Sequence, residues 1–389
     1  MTGLRTALRT HGFTESVIRE MTRVARANGS TNLAQGFPDF PAPARIKAAA
    51  AEAIQADINQ YAITWGSPSL RAALVESYRA QYGLELDDTR EITVTCGATE
   101  AMASIFMALI DPGDEVLVFE PFYENYGPDA ILAGAKPVFV PLNAPDFRID
   151  PDRLRAAVTP RTRAIIMNTP NNPTGRVLDR EELQAVADCC MEHDLIAITD
   201  EIYEHILYEG THIPLATFEG MRERTVTVSG ASKTFSVTGW RIGWIVAPEA
   251  LTAAIRKVHD FLTVGAPAPL QEAVAVGMRE LGASYYSDLA DGYRQRRDAL
   301  IPALQAAGFS CSPPQGAYYV LADFSALSSE DDDTFARRLA ANQGLAAVPG
   351  SSFYSAGGGS TLLRFAFCKR METLQEAADK LLRFAGAGG

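Results

Sequence analysis

Basic runs, clustered histidines, paired cysteines and long apolar stretches are all scarce in this chain of 389 residues, and each scarcity removes a class of protein. Lys and Arg number 35 against 47 Asp and Glu, a formal charge of -12. Phosphate-backbone binding rests on clustered cations, so a general nucleic-acid surface is excluded and the acidity is read as solubility. Five histidines stand at no metal-ligand spacing, and no metal site is expected. The five cysteines (Cys96, Cys189, Cys190, Cys311, Cys368) form no CxxC, which fits reduced thiols in a cytoplasmic protein. The longest apolar stretch, Ala101 to Ile110, is about half of what spans a bilayer, and the N-terminal residues lack the apolar centre of a signal peptide. No internal repeat is present.

What the chain does have is an alternation. From Ile92 onward short apolar runs (ITVT, EVLVF, PVFV, AIIMN, LIAITD) are separated by helical segments, expected at Thr99 to Ile110, Tyr126 to Ala133 and Arg180 to His193. Strands apolar on both faces between helices predict an α/β fold with a mostly parallel central sheet flanked by helices. Ahead of it lie a helix ending at Asn28-Gly29, a Pro-rich extended loop NLAQGFPDFPAP, and helices from about Arg45 to Ala56 and Ser69 to Tyr82. Behind it, a helix from about Pro248 to Phe261, a Pro-broken connection at GAPAP, and a long helix from about Tyr285 to Ala307 lead into a smaller α/β lobe (YYVLADF, TLLRFAF and two helices). The expected division is an arm and part of the small domain over 1–44, a large domain over 45–281 and a small domain over 282–389.

Ligands of such sheets gather at the carboxyl ends of the strands. Those ends hold Gly97-Ala98-Thr99, Pro121-Phe122-Tyr123, Asn168, Asp200 and the segment Ser229 to Lys233. Lys233 has small neighbours, leaving room for a bulky planar group, and Arg241 follows eight positions later in RIGWIV, where a buried guanidinium requires an anion. Gly97-Ala98-Thr99 opens a helix and suits a phosphate, or is only a cap. Asp200, ending IAIT, suits a pyridine nitrogen, or caps the following turn. Tyr203 and Asn172 offer donors to a phenolic oxygen, and Tyr123 offers a ring face or simply core packing. Arg364, inside the apolar run TLLRFAF, requires a planar anion, either a substrate carboxylate or an internal Asp or Glu. Gly36 is positioned to bring a backbone amide to the same carboxylate. Together these groups suit pyridoxal phosphate.

From about Thr31 to the last helix the chain resembles the class I and II pyridoxal-phosphate-dependent aminotransferases of fold type I, most closely the kynurenine and methionine aminotransferase subgroup. The resemblance is carried by NLAQGFPDF, CGATEA, FEPFYENY, NTPNNPTG, ITDEIYEHI, GASKTFSVTGWRIGW and LLRFAF, in order and spacing. It implies that Lys233 carries the cofactor and then shuttles the proton, with Asp200 and Tyr203 completing the catalytic group. It further implies that Gly97, Ala98, Thr99 and Arg241 hold the phosphate, that Asn172 and Tyr203 bind the phenolic oxygen, and that Tyr123 stacks on the ring. Arg364, Gly36 and Asn172 would receive the substrate. Tyr61 would reach the phosphate of a neighbouring subunit in a homodimer with shared active sites.

The implied reaction is ping-pong transfer of the α-amino group of an amino acid to a 2-oxo acid. Candidate pocket walls Phe13, Ile18, Trp65 and Tyr123 point to an apolar or aromatic substrate, methionine or kynurenine-like. A β-lyase acting on cysteine conjugates shares the same first steps and is the alternative. An effector-binding domain of a transcription regulator is a more remote one, since only about 30 residues precede NLAQGFPDF, with no helix-turn-helix pattern. Many relatives carry a hydroxyl where this chain has Gly230, leaving Ser229 or Ser232 as substitutes.

Overall fold

A computed structural model describes residues 6–387. Its centre is a seven-stranded sheet formed by β1 (Ile92–Thr95), β2 (Glu115–Glu120), β3 (Lys136–Pro141), β4 (Thr162–Asn168), β5 (Ile196–Asp200), β6 (Thr225–Gly230) and β7 (Gly243–Val246). Their spatial order is β1-β7-β6-β5-β4-β2-β3. Every pairing is parallel except those of β7, which runs antiparallel to both β1 and β6. The antiparallel strand has a local cause. Between β6 and β7 the segment 231–242 holds only a four-residue helix (Ala231–Thr234) and a single 3-10 turn (Thr238–Trp240), with no helix long enough to run back along the sheet as a parallel crossover requires.

Residues of β1, β2, β5 and β6 are buried almost throughout, which explains why their sequences read as unbroken apolar runs. One layer of core lies between the sheet and the helices Ala98–Leu109 and Glu249–Thr263, built from Ile105, Phe106, Val118, Ile166 and Ile255. A second fills the opposite face around Leu117, Ile165, Leu183 and Val186.

A separate core gathers Phe309, Phe335 and Phe365 from the C-terminal part with Ile18, Met21 and Leu33 from the N-terminal part. The N-terminal helix Val17–Ala27 contributes by its apolar stripe, and Ser16 caps it by accepting from Arg19 N–H. In this lobe three antiparallel strands, β8 (Tyr319–Asp323), β9 (Val348–Pro349) and β10 (Leu362–Ala366), pair in the order β9-β10-β8.

Besides the single-turn helix Ala231–Thr234, the helices Pro151–Ala157 and Ala268–Glu280 fall outside the sequence expectations. The connection expected at GAPAP lies between the helix ending at Thr263 and the one starting at Ala268. Pro267 is the N-cap and Pro269 lies in the first turn, where a missing N–H costs nothing.

Candidate active site

The carboxyl ends of β1, β4, β5 and β6 emerge along one edge of the sheet, because these strands run the same way. A cavity of about 790 Å³ opens there. Its walls include Ala98, Thr99, Tyr123, Asn172, Asp200, Tyr203, Lys233 and Arg241 from the large lobe, and Gly36 and Arg364 from the small one.

Gly97 adopts φ +80°, and an added Cβ would lie 2.2 Å from Arg241 Nη2. Glycine therefore lets the guanidinium lie against the start of the helix Ala98–Leu109, whose first amide groups are unpaired and carry the positive end of the helix dipole. Among the described residues Arg241 bonds only carbonyls, Nη1 to Thr238 at 2.9 Å and Nη2 to Cys96 at 3.5 Å. The guanidinium and the uncapped helix start thus lie side by side on the cavity wall. Gly230 packs too closely for a side chain, since a Cβ would meet the Ile242 carbonyl at 2.9 Å and Gly243 Cα at 3.0 Å. Of the two candidate serines, Ser229 donates to Glu204 at 2.5 Å, while Ser232 lines the cavity.

Asp200 is buried at the end of β5, and its Oδ2 accepts from Tyr126 Oη at 2.7 Å. Burial raises its pKa to about 6, with the Tyr126 bond pulling the other way. Lys233 is half-buried, and desolvation lowers its pKa to about 8. Its Nζ donates to the Gly36 carbonyl at 3.3 Å and lies 5.8 Å and 5.6 Å from the ring centres of Tyr203 and Tyr318. Tyr203 Oη bonds Tyr319 Oη at 3.0 Å. Tyr123 meets Tyr126 edge-on, with ring centres 5.8 Å apart.

Arg364 is fully buried, yet no carboxylate pairs with it among the described residues. Its Nη1 donates to Asn172 Oδ1 at 2.9 Å and Nη2 to the Ala34 carbonyl at 2.6 Å, while Nε has no partner. Its Cζ lies 4.3 Å from the ring centre of Tyr319 and 4.9 Å from that of Phe353. Among the described residues no internal Asp or Glu takes the place the sequence left open, so the guanidinium lines the cavity without an anionic partner.

Three sequence candidates stand elsewhere. Tyr61 is 86% exposed and outside the cavity of its own chain. Phe13 and Trp65 are not among the walls, and Trp65 lies beneath Arg256 at 4.9 Å. Ile18 and Tyr123 do line it. Sequence reasoning missed Tyr126, Tyr318 and Tyr319. Tyr126 had a signal, three residues after Tyr123 in FEPFYENY. The tyrosine pair in YYVLADF read only as the start of a strand.

These features fit pyridoxal phosphate: a cradle closed to any side chain at Gly97, a cation bonded only to carbonyls, a buried carboxylate and a lysine with a depressed pKa. Fold and site together define a fold type I pyridoxal-phosphate-dependent aminotransferase. The aminotransferase class I and II family model matches residues 28–381, and the chain belongs to that family. The solved N-succinyldiaminopimelate aminotransferase from Mycobacterium tuberculosis is 42% identical, with a TM-score of 0.95 over 98% of this chain and 100% of that one. Methionine aminotransferase of Escherichia coli (strain K12) is 37% identical over 94% of this chain and 95% of its own. Human kynurenine–oxoglutarate transaminase 1 is 36% identical over 94% of each. Among the described residues no helix is long and apolar enough to cross a membrane.

Proposed function

We propose that Lys233 carries the cofactor and moves the α-proton in a ping-pong transamination, and that Arg364 receives the substrate α-carboxylate. The observation that carries this reading is Arg364 itself, a buried guanidinium with an unpartnered Nε and no acidic partner among the described residues. A bidentate carboxylate satisfies it in plane, and the Gly36 N–H, which bonds nothing among the described residues, supplies a further donor.

Bound pyridoxal phosphate supplies an electron sink for the pair left when the α-proton departs. The chain does the rest. Gly97, Ala98, Thr99 and Arg241 hold the phosphate, and Asp200 as an anion keeps the ring nitrogen protonated. The Tyr126 hydroxyl favours that ionised form. Asn172 and Tyr203 face the phenolic oxygen, and Tyr123 covers the ring. Arg364 fixes the carboxylate so that the α-hydrogen is directed at Lys233, whose lowered pKa makes a neutral amine available near neutral pH.

The amino donor we favour is apolar or aromatic, methionine or kynurenine-like, because Ile18, Phe37 and Tyr123 line the cavity. The named relatives act on different substrates, so this choice rests on the walls. We also read the protein as a cytoplasmic homodimer. Tyr61, Phe261 and Val264 are large apolar side chains left exposed, and their neighbours Leu262 and Thr263 line the cavity mouth, so a second subunit covering them would bring Tyr61 to the partner's phosphate site. The proposed division is the small domain over 282–389 with the arm 1–44, against the large domain over 45–281.

The test is spectroscopic. Holoenzyme mixed with methionine or kynurenine should lose the visible band of its lysine-linked cofactor and recover it with a 2-oxo acid. Lys233→Ala should abolish turnover while still binding cofactor. Normal turnover by Lys233→Ala refutes the reading.

A further inference from the structure

Lys369 follows shortly after β10, the strand that carries Arg364, and is only 3% exposed. A buried ammonium ordinarily faces a carboxylate. This one has none among its bonds. Its Nζ donates to the carbonyls of Gln35 at 3.1 Å and Phe37 at 2.9 Å, and lies 4.4 Å from the centre of the Phe37 ring.

The residue between those two carbonyls is Gly36. Its own carbonyl accepts from Tyr318 Oη at 3.0 Å and from Lys233 Nζ at 3.3 Å. An added Cβ there would fall 2.0 Å from Tyr319 Oη, so the loop is pressed against the cavity wall. Three consecutive carbonyls are thus taken by side-chain donors. A charged donor held in a dry site carries a desolvation cost that a purely structural tie does not require. What it gives in return is direction, since bonds from a charged donor are about twice as strong as neutral ones.

We propose that Lys369 is a positioning residue for the proton transfer: by fixing the carbonyls on both sides of Gly36, it aims the Gly36 carbonyl at the Lys233 amine and the Gly36 N–H at the substrate carboxylate. The inference rests on the roles given above to Lys233 and Gly36. An amine released from the cofactor is held through one N–H to Gly36 and keeps its lone pair free. The α-C–H bond then breaks, its proton goes to that lone pair, and the electron pair stays with the substrate carbon and the cofactor's sink.

The test compares holoenzyme with Lys369→Met, which keeps the chain length and removes every donor. Misplacing a reacting group by about 1 Å costs up to roughly a hundredfold, so kcat should fall about tenfold or more while cofactor affinity stays within about twofold. The kinetic isotope effect with an α-deuterated amino acid should rise, because proton transfer becomes the slow step. Hydrogen exchange at residues 34–40 should accelerate in the same holoenzyme, a readout independent of turnover. An unchanged kcat and isotope effect in folded Lys369→Met overturns the proposal. If that variant yields no holoenzyme, Lys369→Gln decides the matter, since its shorter neutral amide keeps a polar end in the buried site and removes the charged donor to the Gln35 and Phe37 carbonyls: a raised isotope effect with faster exchange at residues 34–40 supports the proposal, and an unchanged isotope effect overturns it. Turnover by Lys233→Ala would remove the underlying reading. With Lys233→Ala inactive and Lys369→Met unaffected, this inference alone fails.

Discussion

The guanidinium of Arg364 and the side-chain oxygen of Asn172 are joined by a 2.9 Å hydrogen bond across 192 positions of sequence. It ties the small lobe to the turn after β4 at the cavity wall, where Nε of the same guanidinium has no partner among the described residues. Removing that cation should therefore act on the substrate before it acts on the cofactor.

Arg364→Leu is expected to lower kcat/KM for every amino acid by about 3 kcal/mol, roughly a hundredfold, the range for truncating one partner of a buried charge pair. Arg364→Lys should recover little, because an ammonium lacks the planar fork. Steady-state kinetics across several amino acids checks this. A loss confined to one side-chain class would place Arg364 at the side chain and not at the α-carboxylate.

The acidity of Lys233 sets a pH profile. Its folded-state pKa is lowered from 10.5 to about 8 by burial, so its contribution to stability is fully present above 10.5 and is lost as pH falls through about 8. Asp200 works the other way: raised from 3.8 to about 6, it contributes stability below 3.8 that is lost as pH rises through about 6. Only the neutral amine reacts with an aldehyde. The rate at which cofactor-free protein takes up pyridoxal phosphate should accordingly rise with pH and level off above about 8. A midpoint near 10.5 would show that the site does not perturb its lysine.

Gly97→Ala should weaken cofactor binding more than it weakens substrate binding. The new methyl carbon would stand 2.2 Å from Arg241 Nη2, and the positive φ adds strain of about 1 kcal/mol or more. We expect cofactor affinity to fall at least about tenfold, read by equilibrium dialysis, with the amino-acid KM at saturating cofactor nearly unchanged. An unaltered cofactor affinity would separate Arg241 from the phosphate.

Phe261→Glu places a charge at one of the exposed large apolar side chains that the proposed second subunit would cover. Sedimentation should show a dimer for the unmodified protein and a monomer for the variant, with cofactor affinity reduced in the monomer. Tyr61→Phe should leave the dimer intact and still weaken cofactor binding. A monomeric unmodified protein with full activity would refute the shared site.

The α/β class could be read directly, because β2, β4, β5 and β6 are buried on both faces and leave an apolar run in sequence. The direction of β7 could not, since RIGWIV reads the same whichever way its strand pairs. Lys233, Asp200 and Thr99 were legible because residues following parallel strands fall on one edge of the sheet. Trp65 was misread for the opposite reason. An aromatic in a loop carries no periodicity, and only the packing against Arg256 decides which way it faces.

The sequence by itself determined the chemistry: a lysine among small residues, an acid after a strand, and an arginine in an apolar run are choices of functional group, written locally. Tertiary structure alone decided what each group lacks. That Arg364 has no acidic partner among the described residues, that Tyr126 bonds Asp200, and that Lys369 bonds the carbonyls flanking Gly36 are statements about residues tens to hundreds of positions apart. Burial prices a charge only once its neighbours are fixed, and those neighbours come from the packing of the two lobes.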